Sequence, residues 1–340
     1  MMNDTTKDVF SKAKLAVLRY ISPSLTRPTS GRIIITSNCP LRCQMCTFWK
    51  KQHKDPSLAR IKFWIKEMAD FGIEKIAIGG GEPFIRKDLT EIVNEIKSYG
   101  MRCTITTSGY LIDNVPFPPV DEIVVSIDGA TAKTHDAIRG VKGSWENAVK
   151  TIKVAKKYCI VKQVNFVLQK DNYHELIDFV HFANQMDVPV ALIPVSLKLA
   201  AQTPLSKSLV ELDLEQLRGL IRKAMKTGTV LNTKPFIDLC FEKLKKGTVR
   251  QKCMAPYHCI LIYSNGDVYP CGNLDLTVGT LSYDQNLKDL YAKYGAIRKR
   301  IWSGLHPFCN RCIYPDIMNR STLRWGVGMF IRRFLLRDNA

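Results

Sequence analysis

The segment RIIITSNCPLRCQMC, residues 32–46, joins an apolar run to three closely spaced cysteines. The run from Arg32 to Thr36 predicts a buried strand, because it is short, continuous and rich in β-branched residues. Cys39, Cys43 and Cys46 follow it at the spacing C-x3-C-x2-C. Thiolates at this density favour zinc or an iron–sulfur cluster, and three thiols without a metal also fit. A closed structural zinc site has four protein ligands, so this motif leaves one coordination position open.

Short apolar runs alternate with amphipathic helical patterns on the carboxyl side of this segment. The predicted strands lie at 32–36, 75–80, 102–108, 122–128, 161–168 and 188–195. The predicted helices lie at 57–72, 88–100, 144–158 and 173–186, with Asp88 and Ser144 as N-cap residues. Alternation of this kind indicates a parallel sheet, in an incomplete (β/α) barrel or a doubly wound fold. In both folds functional residues lie at the carboxyl ends of the strands.

The composition is that of a large folded chain. Its 340 residues are 46% hydrophobic and 24% charged, which argues against global disorder. The net charge of +19 suits an anionic partner or surface, but no basic run is interleaved with aromatic residues, so no nucleic acid is expected. No apolar run reaches the roughly 18–20 residues of a membrane span, and no secretory leader opens the chain. A cytoplasmic location is therefore expected.

Three further motifs follow the cysteines, and the set resembles the signature of the radical SAM superfamily. Gly79-Gly80-Gly81-Glu82-Pro83, after the second strand, is similar to the family's GGEP motif. Ser126-Ile127-Asp128-Gly129 is similar to S-x-D-G, and the segment from His135 to Gly140 is similar to H-D-x-x-R-G. The four matches span residues 39–140 in the family's order.

This resemblance implies a partial (β/α)6 barrel similar to a TIM barrel, with a 4Fe–4S cluster held by Cys39, Cys43 and Cys46. The iron without a protein ligand would bind S-adenosylmethionine (SAM). One electron from the cluster would cleave SAM to a 5′-deoxyadenosyl radical that abstracts a hydrogen atom from the substrate. A reductant such as flavodoxin or ferredoxin would supply the electron.

The family pattern also implies which residues contact SAM. The backbone of the glycine motif would hold the amino group of the methionine part, Ser126 would lie near the ribose or carboxylate, and Arg139 near the carboxylate. Met45 occupies the position that is usually aromatic and close to the adenine. Thr107-Ser108-Gly109 departs from the family's T-N-G, which leaves position 108 without a predicted role. The predicted SAM contacts are Met45, Gly80, Gly81, Glu82, Pro83, Ser126, Asp128 and Arg139.

A second group of cysteines lies near the carboxyl end of the chain. The hairpin pattern from Cys253 to Cys271 and the later CNRC motif, residues 309–312, resemble the SPASM/twitch modules of radical SAM enzymes, which hold auxiliary 4Fe–4S clusters. Positions 318 and 322 are Met and Thr rather than further cysteines, so one auxiliary cluster is expected. Its predicted ligands are Cys253, Cys271, Cys309 and Cys312, with Cys259 either not a ligand or exchanging with Cys253. The alternative is a structural zinc site.

The expected organisation has five parts. They are an N-terminal basic segment (1–30), the radical SAM core (31–200), a helical linker (201–250), the auxiliary cluster module (251–318) and a basic amphipathic tail (319–340).

The expected function is the oxidative modification of a peptide or protein. An alternative is a lipid, isoprenoid, sugar or other small metabolite at a membrane surface, because residues 8–21 and 321–340 are apolar with interspersed basic residues. The other class kept open is a non-catalytic iron–sulfur or zinc protein. No spacing singles out a catalytic acid or base.

Overall fold

The structure is a computed structural model. It describes residues 27–46, 48–50, 54–114, 116–195, 212–274 and 276–313. Most of the predicted basic segment, the whole of the predicted tail, and Met318 and Thr322 lie outside these residues. The two basic apolar stretches for which membrane contact was considered also lie outside them. In the described part of the chain, no helix is both long enough and apolar enough to cross a membrane.

One nine-stranded sheet organises the described residues, in the strand order β6-β5-β4-β3-β2-β1-β7-β8-β9. The strands are β1 Ser30–Thr36, β2 Lys75–Gly80, β3 Arg102–Thr107, β4 Glu122–Ser126, β5 Ile160–Leu168, β6 Val190–Pro194, β7 Cys259–Ile262, β8 Asp267–Tyr269 and β9 Gly279–Thr280. Strands β1 to β7 pair in parallel, and β8 and β9 add an antiparallel edge. The mostly parallel sheet with intervening helices confirms the predicted α/β fold, an open partial barrel with a cysteine-rich C-terminal region.

Helices follow most of the parallel strands. The α-helices of the described residues are α1 Leu58–Phe71, α2 Leu89–Ser98, α3 Ala132–Arg139, α4 Ser144–Ala155, α5 Leu176–Gln185, α6 Leu214–Thr227, α7 Lys234–Lys246, α8 Ala255–His258, α9 Leu287–Lys293 and α10 Gly295–Trp302. Helix α1 begins where the Ser57 hydroxyl accepts a hydrogen bond from Arg60 N, and it ends at Gly72 in the left-handed conformation (φ 91°). Its buried face carries Ile61, Trp64 and Met68 against the sheet.

The predicted N-cap Asp88 is confirmed in position, the predicted N-cap Ser144 is wrong, and α3 was not predicted. Asp88 stands at the N-cap of α2, but its side chain makes no capping bond because it pairs with the Arg86 guanidinium at 2.6 Å. Ser144 lies inside α4, where its hydroxyl donates to Asp136. The Asp136 carboxylate also accepts from the backbone of Gly143 and Trp145, so this distant aspartate satisfies the first turn. Asp136 belongs to α3, the helix that the sequence patterns did not indicate.

The C-terminal region is built onto the same sheet. Strand β7 pairs with β1, with Ser30 opposite Cys259 and Ile33 opposite Ile262. Helix α1 packs against this region from the other side, and the Phe71 and Tyr291 rings meet edge to face at 5.2 Å. The Glu67 carboxylate accepts a hydrogen bond from the Leu287 backbone at 2.9 Å. This pairing brings the second cysteine group to the side of the sheet that carries the first.

Candidate active site

A cavity of about 390 Å³ lies between the two cysteine groups. Three of its lining cysteines follow β1 and the others come from the C-terminal region. They are Cys39, Cys43 and Cys46 from the first group, and Cys253, Cys259, Cys271 and Cys312 from the second. Cys309 is buried but is not among the lining residues. The structure therefore brings both predicted cluster sites to one chamber.

The loop that carries the first cysteines is anchored by Asp55. Its carboxylate accepts hydrogen bonds from Thr36 Oγ1 at 2.9 Å, Ser37 N at 3.3 Å and Asn38 Nδ2 at 3.1 Å. These are the last residue of β1 and the two residues before Cys39. Asp55 thus sets how the chain leaves the strand, and no local sequence pattern identifies it.

Helix α3 holds the other side of this loop. The backbone N–H of Arg42 donates to Arg139 O at 3.0 Å, and the N–H of Gln44 donates to Ile138 O at 3.0 Å. Gly140 then leaves the helix in the left-handed conformation (φ 73°), and a Cβ there would lie 2.8 Å from Arg42 O. The unpredicted helix therefore serves the site, because its last carbonyls orient the cysteine loop.

The glycine motif lies directly against the cysteine loop. Gly81 N donates to Thr36 O and Glu82 N donates to Asn38 O, both at 2.9 Å. An amino group donates hydrogen bonds, so one bound at this edge would be held by carbonyl oxygens of the motif. Gly80 and Gly81 both line the cavity, so their backbone forms part of its wall.

Glu82 and Pro83 do not line the cavity but support its wall from the protein interior. The buried Glu82 carboxylate accepts from Thr107 Oγ1 at 2.6 Å and from Ser108 N at 2.8 Å, and it also bonds the Ser108 hydroxyl. Pro83 opens a short 3-10 turn, Pro83–Ile85, and is buried. Neither side chain is among the residues that line the cavity, whereas Thr107 and Ser108 are. Glu82 thus ties the end of β2 to the end of β3, and position 108 acquires a structural role.

Arg139 connects the S-x-D-G motif to the cysteines. Its Nη2 atom lies 2.6 Å from Asp128 Oδ2, and its Nη1 atom lies 3.8 Å from Cys43 Sγ. Burial acts to lower the pKa of Arg139, but Asp128 and Cys43 raise it by more, so the guanidinium stays charged. Arg139 lines the cavity and Asp128 does not, so the carboxylate orients the cation from behind.

A buried network fixes Asp128. Its Oδ1 atom accepts from Val167 N at 2.7 Å, and its own N–H donates to His135 Nδ1 at 3.0 Å. Burial lowers the pKa of His135 to about 3, so this imidazole is neutral and acts as an acceptor. Ser126, at the end of β4, and Met45, in the cysteine loop, both line the cavity as well.

The first cysteine group fits a cluster with an open iron. None of the eleven cysteines, all in the described residues, forms a disulfide. Burial raises the pKa of Cys39 to about 12 and raises that of Cys43, so these thiols stay protonated until a metal displaces the proton. In the described ranges, no three Cys, His, Asp or Glu side chains converge enough to hold a single metal ion. A 4Fe–4S cluster takes one thiolate per iron, so the three thiols of the first group suit a cluster with one iron left open.

Three cysteines of the second group, Cys253, Cys309 and Cys312, are buried, and Cys259 and Cys271 are partly buried. Burial raises the pKa of Cys253 well above its ordinary range and that of Cys309 to about 12. The turn containing Cys309 and Cys312 contacts Lys243 of α7, whose Nζ atom donates to both of their carbonyl oxygens, at 3.0 Å and 2.9 Å. Burial lowers the pKa of Lys243, and the neighbouring cysteines Cys312 and Cys240 act in the opposite direction with a smaller effect. Lys243 belongs to the predicted linker, and sequence reasoning missed it.

Substitution of Gly81 by alanine is expected to disrupt the first site. The new Cβ would lie 2.0 Å from Asn38 O, so either the glycine motif or the cysteine loop must move. We expect a loss of about 1–3 kcal/mol in the free energy of unfolding and a large loss of SAM affinity. Urea unfolding and equilibrium binding of SAM to the reconstituted protein measure the two effects. Gly219→Ala, in α6 with open space around its Cβ position, is the control; it should leave SAM affinity unchanged and should raise the free energy of unfolding slightly, by up to about 1 kcal/mol.

Replacement of Asp128 by asparagine is expected to destabilise the fold. It leaves the Arg139 guanidinium buried without its ion partner, which costs about 3–5 kcal/mol when a buried pair is broken. Chemical denaturation measures the loss. Asp121→Asn, which breaks the partly exposed pair with Lys97, should cost less than about 1 kcal/mol. Equal losses in the two variants would contradict the role given to Asp128.

The geometry defines an enzyme that holds iron–sulfur clusters at the carboxyl ends of an open parallel barrel. The profile of the radical SAM superfamily matches residues 33–183, and the profile of the SPASM iron–sulfur cluster-binding domain matches residues 253–313. The chain therefore belongs to the radical SAM superfamily, and it is an enzyme that uses a SAM-binding 4Fe–4S cluster and SAM and carries an auxiliary iron–sulfur module.

Relatives of this chain act on different substrates. An AdoMet-dependent heme synthase of Methanosarcina barkeri is 25% identical over 316 residues, 83% of this chain and 88% of the relative. A probable GTP 3′,8-cyclase of Pyrococcus horikoshii is 29% identical over 178 residues, 48% of this chain and 55% of the relative. The crystal structure of Streptococcus suis SuiB bound to precursor peptide SuiA shares the fold with a TM-score of 0.64 at 18% identity, over 92% of this chain and 77% of that one.

Proposed function

We propose that the protein oxidises a peptide or protein substrate through a radical, with the auxiliary cluster as the acceptor of the second electron. The observation that carries this proposal is the single chamber onto which both cysteine groups open. An electron acceptor is useful only near the carbon from which the hydrogen atom has been removed. A shared cavity supplies that proximity without further movement of the chain.

The roles proposed for the residues follow from their contacts. Cys39, Cys43 and Cys46 would ligate the first cluster, which supplies the electron that cleaves SAM. Arg139, charged and oriented by Asp128, would bind the carboxylate of SAM. The remaining proposed contacts are the carbonyl groups of the glycine motif for the amino group, Ser126 for the ribose or carboxylate, and Met45 for the adenine.

The electron donor is proposed to be an acidic protein such as flavodoxin or ferredoxin. The chain carries a net charge of +19, which favours rapid encounter with an acidic partner. The test measures the rate of SAM cleavage with each donor at increasing salt concentrations. This rate should fall as ionic strength rises.

The size of the cavity supports a peptide as the substrate. At about 390 Å³ it is at the small end of ligand cavities, and SAM itself occupies part of that space. The reacting part of the substrate should therefore be small, as one side chain of an extended peptide is. The fold shared with SuiB is compatible with this mode, since that protein has been seen with its precursor peptide bound.

A porphyrin is the second candidate substrate. The observation that favours it is the length of the match to the heme synthase, which spans most of both chains. A heme synthase activity would use the same two cysteine groups but would need a wider opening to the cavity.

One experiment separates the two candidates. The anaerobically reconstituted protein is incubated with SAM, dithionite and either a set of short peptides that together present every side chain or iron coproporphyrin. A peptide that loses two hydrogen atoms in step with 5′-deoxyadenosine formation supports the first proposal, and heme detected by its absorbance supports the second. If neither probe raises 5′-deoxyadenosine above the uncoupled rate, both substrate classes are rejected.

A further inference from the structure

Lys243 is a buried cation that has no carboxylate partner among the described residues. Its exposed fraction is 3%, and no Asp or Glu oxygen in the described residues lies within ion-pair distance of Nζ. The neighbouring lysines of α7 differ, because Lys245 pairs with Glu215 and Lys246 pairs with Glu242 at 2.8 Å, both in solvent. The only hydrogen bonds of the Lys243 ammonium within the described residues go to the carbonyl oxygens of Cys309 and Cys312.

A buried ammonium of this kind requires a compensating negative charge. Two carbonyl oxygens satisfy hydrogen bonds but carry no net charge, and an isolated buried ion costs several kcal/mol. The auxiliary cluster that the CNRC turn is predicted to ligate would supply this charge. A cluster with four thiolate ligands is anionic, and it would lie beside the turn that Lys243 holds.

The helix that carries Lys243 is docked on this turn at a second point. Cys240, one helical turn earlier, has its Sγ atom 4.0 Å from Ile313 O, directly after Cys312. Phe236, Ile237, Cys240 and Phe241 bury the same helix against its surroundings. The ammonium is therefore held in place by packing as well as by its two hydrogen bonds.

We propose that Lys243 is the counter-cation of the auxiliary cluster and stabilises its reduced state. The reduced cluster carries one more negative charge than the oxidised one, so a fixed cation in a poorly solvated site favours reduction. This inference rests on the proposed function, in which the electron left on the substrate after hydrogen-atom abstraction passes to the auxiliary cluster and the accompanying proton leaves to solvent. Lys243 would make that electron transfer more favourable.

The test measures the reduction potential of the auxiliary cluster in the full chain. The first cluster is removed by Cys39→Ala, Cys43→Ala and Cys46→Ala, and the second is titrated anaerobically by electron paramagnetic resonance. Lys243→Met removes the charge, Lys243→Gln keeps a hydrogen-bond donor without charge, and Lys243→Arg keeps the charge. Lys246→Met removes a solvent-exposed charge from the same helix and is the matched control.

At a fixed potential, we expect both neutral variants to shift the ratio of reduced to oxidised cluster at least about tenfold toward the oxidised form, about 59 mV for one electron. Lys243→Arg and Lys246→Met should stay within about threefold of the parent. An unshifted ratio in the neutral variants, or an equal shift in Lys246→Met, overturns the proposal. If the neutral variants bind no auxiliary iron, iron retained by Lys243→Arg supports the counter-cation role, and iron lost from Lys243→Arg too overturns it.

Substrate oxidation, measured in Lys243 variants that keep the first cluster and in Cys309→Ala, separates this inference from the proposed function. A shifted potential with unchanged substrate oxidation would leave Lys243 as counter-cation and remove the auxiliary cluster from the reaction. If the potential is unshifted and Cys309→Ala loses substrate oxidation, the auxiliary cluster takes part in the reaction but Lys243 is not its counter-cation.

Discussion

Replacing Cys43 by alanine is expected to abolish the cleavage of SAM. Cys43 is buried in the cavity wall, and its Sγ atom lies 3.8 Å from the Arg139 guanidinium that we assign to the SAM carboxylate. Without this thiolate the first cluster loses one of only three protein ligands. We expect 5′-deoxyadenosine formation to fall at least about a thousandfold, equivalent to about 4 kcal/mol in the barrier. Chromatographic detection of 5′-deoxyadenosine after reduction with dithionite measures it.

The iron content of the same variant tests the assignment independently. The parent should bind about eight irons per chain and Cys43→Ala about four, because the auxiliary cluster remains. Cys159→Ala is the control, since this half-buried thiol does not line the cavity and should leave both iron and cleavage unchanged. Full cleavage by Cys43→Ala would show that the motif does not hold the SAM-binding cluster.

Replacing Cys309 by alanine is expected to separate SAM cleavage from substrate oxidation. Cys309 is remote from the first cysteine group in sequence, is buried, and belongs to the turn that Lys243 holds. The variant should still form 5′-deoxyadenosine in the absence of substrate at a rate close to the parent's. Product formation should fall roughly a hundredfold or more, because the substrate radical has no electron acceptor. Paired measurement of 5′-deoxyadenosine and oxidised product gives the coupling ratio.

Cys240→Ala provides the matched comparison for Cys309→Ala. Cys240 is also a buried thiol beside the CNRC turn, but it is not a predicted ligand. The Cys240→Ala variant should retain about four auxiliary irons, as expected of one cluster. Its coupling ratio should equal that of the parent. Unimpaired product formation in Cys309→Ala would exclude the auxiliary cluster from the reaction.

Local patterns predicted the strands well because their signal is local. The apolar runs Ile33–Ile35 in β1 and Ile76–Ile78 in β2 reflect burial of the strand interiors in a parallel sheet. Helix α3 was missed because its eight residues are mostly polar, with only His135, Ile138 and Arg139 buried. The missing side-chain cap at Asp88 and the wrong N-cap at Ser144 have a related cause. Asp88 and Ser144 have the right residue type and position, but partners elsewhere, Arg86 and Asp136, compete for their side chains.

The residues missed at the site share a physical feature. Asp55 and Lys243 bind groups that are close only after folding, on the cysteine loop and on the CNRC turn. Neither belongs to a spaced motif, so no pattern along the chain distinguishes them from surface charges. Their burial and their partners are properties of the tertiary structure.

The sequence by itself determined the chemistry of this protein. The spacing of the thiols and the position of the glycines can be read directly from the sequence, because cluster ligation and close backbone approach need particular residue types within a few positions. Only the tertiary structure decided how the two cysteine groups relate. The pairing of β7 with β1 joins residues 259–262 to residues 30–33, and the energy of that pairing comes from contacts that no local pattern contains. The shared cavity, the orientation of Arg139 by Asp128 and the burial of Lys243 against the CNRC turn all follow from long-range pairing and packing.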